Sequence, residues 1–173
     1  MNRKKCAFPI LIVDDEDFIL KSMAKLLLYH GFSQVTCVQD ARRVMSTLRS
    51  QPISLVLLDI NMPYLNGREL LKEIRAEFPA TLIVMVSAVN DLDVAVECMK
   101  LGAFDYLVKA VEPAKLIALV DRIASLSELE GEYLSLREHL LSEELERPEC
   151  FEGIVTKSEK MRLIFRYLES VAK

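Results

Sequence analysis

The stretch Ser54–Leu55–Val56–Leu57–Leu58 runs almost without a polar atom and then stops at Asp59, where Asn61, Pro63, Asn66 and Gly67 punctuate a turn into a helical pattern. A run with no polar side must be covered on both faces, which is the mark of a strand inside a parallel sheet. Pro9–Ile10–Leu11–Ile12–Val13 repeats the design and ends in Asp14–Asp15. Sites in open parallel sheets form beyond the carboxyl ends of the strands, so two such neighbours would gather three carboxylates in one crevice. Like charges that close persist together mainly around a divalent cation. The residues therefore predict a Mg²⁺ site.

Along the chain, strand and helix alternate five times. Asp17 can cap a helix with Phe18, Ile19, Met23, Leu26 and Leu27 on one side, ended by His30–Gly31. Residues 34–38 form a short strand, and Asp40 caps a helix over 41–49. A helix over 67–78 follows the Asp59 turn, 81–86 is a strand ending at Ser87, and Asp91 precedes a helix stopped by Gly102. Residues 104–108 form the last strand, ending at Lys109, and Glu112–Pro113 opens a long final helix. Five such units require right-handed crossovers and an α/β fold with a five-stranded parallel sheet. The order 2-1-3-4-5 brings the first and third strands together. Its rim then carries Asp14, Asp15, Asp59, Ser87 and Lys109, a set suited to a phosphoryl group. A metal and an ammonium neutralise its oxygens, and a hydroxyl donates to one of them.

Composition narrows the classes. The net charge of −4 argues against nucleic-acid binding by this segment, because phosphate affinity needs a basic face. Cys6, Cys37, Cys98 and Cys150 lack metal-ligand spacing and suit a reducing compartment. The basic start Met1–Asn2–Arg3–Lys4–Lys5 is followed by an apolar run too short for a signal peptide. No stretch is long and apolar enough to span a membrane, so a cytoplasmic location is expected.

Residues from about Pro9 to Ser125 resemble the receiver domain of two-component response regulators, a flavodoxin-like fold. The resemblance rests on Asp14–Asp15, the D-x-x-M-P-x-x-x-G turn from Asp59 to Gly67, Ser87–Ala88, and Phe104–Asp105–Tyr106–Leu107–Val108–Lys109. It implies that Asp59 accepts a phosphoryl group from a sensor histidine kinase. It implies that Asp14, Asp15, Asp59 and the Asn61 backbone carbonyl hold Mg²⁺, that Lys109 contacts the phosphoryl group, and that Ser87 and Tyr106 form the switch. The family usually places proline after the lysine, where this chain has Ala110.

Each residue also has a simpler reading. A lone Asp after a strand can cap a helix, Ser87 can be a strand-end hydroxyl, and Tyr106 a half-buried strand residue. His30 reads as a cation near a helix end and His139 as a solvated helix residue. For the whole chain, a regulatory phosphoacceptor competes with a phosphatase resembling the haloacid dehalogenases and with a docking module that is never phosphorylated. The phosphatase family places a second Asp two residues after its nucleophile; here that residue is Asn61, so no proton shuttle is present and the regulator, not an enzyme, is expected.

Beyond the receiver-like part (1–125), Leu126, Leu129, Tyr133, Leu136 and Leu140 recur at 3-4-3-4 spacing over residues 126–147, a helical linker with a coiled-coil seam. Glu132 and Arg137 take g and e positions that attract across a parallel homodimer, and Leu119 is expected to extend the contact. A helix folded back on its own domain is the competing reading. Residues 148–173 begin after Arg147–Pro148 and include Ile154–Val155–Thr156–Lys157–Ser158–Glu159–Lys160–Met161. They are similar to the opening of the AAA+ ATPase domain of sigma-54-dependent activators of the nitrogen-regulation type, with Thr156 where that pattern has Gly. No Walker A loop occurs here. The expected whole is the regulatory part of a transcriptional activator, its partners a kinase, a second copy and its own downstream ATPase domain; a receiver serving a different output is the alternative.

Overall fold

The computed structural model describes residues 8–88, 91–109, 112–141 and 148–151, together with Ser158, Lys160, Met161, Ile164, Phe165, Tyr167 and Leu168; of residues 130, 135–141, 148 and 149 only the backbone is described. Five strands, β1 (Ile10–Val13), β2 (Val35–Val38), β3 (Leu55–Asp59), β4 (Leu82–Ser87) and β5 (Asp105–Val108), alternate with α1 (Asp17–Tyr29), α2 (Val44–Ser50), α3 (Gly67–Glu77), α4 (Leu92–Lys100) and α5 (Pro113–Leu141). The strands form one sheet in the expected order β2-β1-β3-β4-β5. Every pairing is parallel, with Val13 opposite Leu58 and Asp59 opposite Val86.

The pleat divides the strands between two cores. Leu11, Val13, Val56, Leu58, Ile83 and Met85 pack on one face with Val44 and Leu48 of α2, Leu70, Leu71 and Ile74 of α3 and Cys98 of α4. Ile10, Ile12, Leu55, Leu57, Val84 and Val86 face the other way, onto Leu20 and Leu27 of α1 and Leu116, Val120 and Ile123 of α5. Double coverage is why β1 and β3 are buried end to end and carry no alternation.

Helix boundaries follow their caps. The Asn66 and Asp91 side chains accept backbone N–H bonds at the starts of α3 and α4, and Gly31 and Gly102 close α1 and α4 with positive φ. Two details differ from expectation. The N-cap of α1 is Glu16, not Asp17, and its side chain makes no capping bond; Asp17 lies in the first turn and pairs with Lys21. Asp40 accepts from Arg42 N–H and so opens a tight 3-10 turn, Ala41–Arg43, before α2 begins.

The chain divides into two compact units after Ala124. Within the first, Leu116, Ile117, Leu119, Val120 and Ile123 of α5 are buried. Leu119 therefore packs into its own core and is not free to extend a dimer contact. In the second, α5 continues to Leu141 with Leu126, Leu129 and Tyr133 exposed. Gly131 sits on an open side of the helix, while the side chains of Leu136, Leu140, Arg137 and His139 lie outside the described set. Farther on, Phe151 stacks on the buried Phe165 at 4.5 Å between centroids, and Ser158 O accepts from Met161 N–H. Cys98 is buried, Cys37 and Cys150 are exposed, and Cys6 lies outside the described residues. Among the described residues no helix is long and apolar enough to cross a membrane.

Candidate functional site

Parallel pairing carries each strand's last residue to the same edge. Asp14 N–H still donates to Val38 O, Ile60 N–H to Val86 O and Lys109 N–H to Ser87 O, so the rim residues are fixed by the sheet's own ladder. The turn after Asp59 then doubles back tightly, with Gly67 N–H donating to Ile60 O at 2.9 Å. A β-carbon on Gly67 would overlap the Asp59 carbonyl oxygen, so only glycine allows α3 to start there.

Asp14 and Asp59 are each about 1% exposed, yet both bear carboxyl groups. Buried charge needs a partner, and Lys109 supplies one. Its Nζ lies 3.0 Å from Asp14 Oδ2, 3.0 Å from Asp59 Oδ2 and 3.1 Å from Glu16 Oε1. Burial works against the ammonium, but hydrogen bonds to Asp14, Asp59 and Glu16 outweigh it and hold Lys109 above its ordinary range. Burial raises Asp14 above the usual carboxylate range, and Asp59 adds to the rise. The Glu16 N–H, donating to Asp14 Oδ1 at 2.9 Å, and Lys109 pull the other way.

One ammonium does not satisfy the set. Asp59 Oδ1 is buried and accepts no hydrogen bond, an expensive condition for a carboxylate oxygen. Asp14, Asp15 and Asp59 each offer an oxygen within 4.8 Å of the others. An all-oxygen donor set with a buried unpaired atom fits a hard divalent cation. Asp15, half-buried, has its carbonyl held by the Gln39 side-chain amide at 2.8 Å.

The family model for the response regulator receiver domain matches residues 10–121. The chain belongs to that family. Among its relatives, the alginate biosynthesis transcriptional regulatory protein AlgB of Pseudomonas putida is 32% identical over 94% of this chain and 35% of that protein. The DNA-binding transcriptional regulator NtrC of Klebsiella pneumoniae is 36% identical over 66% of this chain and 24% of that protein. This receiver chain thus spans about a quarter to a third of the length of these relatives. Among solved structures, a CheY-like response regulator receiver domain protein from Methanospirillum hungatei superposes with a TM-score of 0.67 at 29% identity, covering 71% of this chain and 98% of that one.

Of the residues singled out in the sequence, Asp14, Asp15, Asp59 and Lys109 converge on the receiver's rim. Ser87 is buried at the end of β4, its carbonyl held by Lys109 N–H. Tyr106 lies on β5 opposite Met85, half-buried against the core beneath α4. Asn61 follows Ile60 in the exposed turn, and Ala110 lies outside the described residues. Sequence reading missed Glu16. The third acid of the run Asp14–Asp15–Glu16 was the available signal, obscured because an acid at a helix start already has an ordinary explanation.

Proposed function

We propose that this receiver takes a phosphoryl group from a sensor histidine kinase onto Asp59 and passes the change to the output of a sigma-54-dependent transcriptional activator. The observation that carries the reading is the buried, unpartnered Asp59 Oδ1 beside Asp14, Asp15 and Lys109. The Asp59 carboxylate, with one oxygen held by the ammonium and the other unpaired, would act as the nucleophile. Its attack forms the oxygen–phosphorus bond as the bond from phosphorus to the donor imidazole nitrogen breaks, the electron pair leaving with that nitrogen. Asp14, Asp15, Asp59 and the Asn61 carbonyl would hold Mg²⁺. When bound, the ion supplies charge neutralisation for the transferring oxygens. Lys109, already in contact with Asp59 Oδ2, moves to an oxygen of the arriving group, and the Ser87 hydroxyl donates to another. Ser87 moving toward the group vacates space that Tyr106 can turn inward to fill, coupling the rim to the surface of α4, β5 and α5.

Regulation rather than turnover suits the set, because Asn61 provides no acid or base two residues beyond Asp59. In the same reading, residues 126–147 pair two copies in parallel and residues 148–173 begin a AAA+ ATPase domain. Incubation with Mg²⁺ and a small phosphodonor, followed by intact-mass measurement, tests it. A slowly decaying adduct of one phosphoryl group is expected; fast donor turnover without an adduct, or no adduct at all, overturns it.

A further inference from the structure

Glu16 occupies the N-cap of α1 but does not act as a cap. Its carbonyl accepts the first helical N–H bonds, from Ile19 and Leu20, while its carboxylate reaches Lys109 Nζ at 3.1 Å. Its own N–H fixes Asp14 Oδ1. The residue is therefore tied into the rim twice, and its side chain, about 59% exposed, stands on the solvent side of the ammonium.

We propose that Glu16 is a positioning residue that shares Lys109 with Asp14 and Asp59 and so sets the balance between cation and anion at the rim. The inference rests on the phosphoacceptor reading above. With Glu16 present, three carboxylates meet one ammonium, and part of that ammonium's pairing is drawn outward. The oxygens of Asp14 and Asp59 are then less completely neutralised, which favours a divalent cation among them. The same exposed carboxylate, already paired with Lys109, competes with an anionic donor for that ammonium. One charge thus acts in opposite senses on the two ligands. A role limited to helix structure would move both in the same direction.

The experiment compares the wild-type chain with Glu16→Gln. Mg²⁺ affinity is read by titration calorimetry, and phosphoryl uptake from acetyl phosphate at saturating Mg²⁺ by intact mass. The change should weaken Mg²⁺ binding about two- to fivefold and speed uptake about two- to fivefold, the size of one exposed ion pair. Both effects should shrink as salt rises from about 0.02 M to about 0.5 M, because the group is solvent-exposed. Unchanged constants, or both falling together, would overturn the role of Glu16 while leaving Asp59 as acceptor. A wild-type chain that binds Mg²⁺ but never takes up the group would instead overturn the phosphoacceptor reading, and this inference with it.

Discussion

The rim around Asp59 and the second half of α5 break the inside-outside rule in opposite ways. At the rim, Asp14 and Asp59 are buried; along α5, Leu126, Leu129 and Tyr133 are 43%, 62% and 67% exposed. Buried charge is answered at once within the chain, by Lys109 in contact with both acids. Among the described side chains the apolar stripe has no such answer. The difference lies in what each violation costs: an unpaired buried carboxylate is worth several kcal/mol, whereas an exposed leucine forfeits only the burial it could have gained. A chain must resolve the first for itself and can leave the second to a partner.

The largest effect separates the two regions outright. Asp59→Ala should abolish phosphoryl uptake by intact mass while leaving the association state set by α5 untouched in sedimentation. Uptake that persists at full extent in this variant would move the acceptor elsewhere. Lys109→Met tests whether the ammonium answers the buried acids. It should cost about 3 kcal/mol in urea unfolding without Mg²⁺, because two buried carboxylates lose their shared cation. Mg²⁺ should return much of that loss by binding the folded state. Equal stability of variant and wild type would mean that Lys109 is not what makes the burial tolerable. On the other side, Leu129→Glu with Tyr133→Glu should weaken a dimer at least about tenfold, each change placing a carboxylate in the seam. If sedimentation equilibrium finds wild type monomeric at tens of micromolar, no second copy covers the stripe.

What could be read in advance follows the same division. Apolar runs ending in charge made one arrangement the most natural, so the strand order and the meeting of Asp14, Asp15, Asp59 and Lys109 were legible from residue types and strand ends. The strand end placed Ser87 on the rim, though a strand-end hydroxyl occurs in any sheet and its role leaned on the set; Tyr106 was not legible, since a half-buried tyrosine occurs in any sheet and only family resemblance singled it out. Glu16 escaped because Asp17 offered an equally good helix start, and one residue of difference decides whether a carboxylate caps or reaches the rim. Leu119 looked like part of the outer seam, yet lies on the stripe with Leu116, Val120 and Ile123 that faces the sheet. A heptad pattern and a core-facing stripe have nearly the same period, so spacing does not tell where one hands over to the other.

The smallest effect bears on how the stripe would be covered. In the seam that contains Leu126, Leu129 and Tyr133, Glu132 takes a g position and Arg137 the following e position. In a parallel pair, g of one helix faces e of the next heptad in the other, so Glu132 meets Arg137 twice by symmetry. In an antiparallel pair, g faces g and e faces e, and the two residues do not meet. Charge reversal at either site alone should weaken a parallel dimer by about 0.4–2 kcal/mol, two exposed pairs at about 0.2–1 kcal/mol each. Glu132→Arg with Arg137→Glu restores both attractions with exchanged signs, so the double variant should recover most of the wild-type affinity. The coupling in that cycle is the signature of parallel pairing. Single effects that merely add across the cycle would remove the parallel arrangement, even if the leucines still hold two copies together.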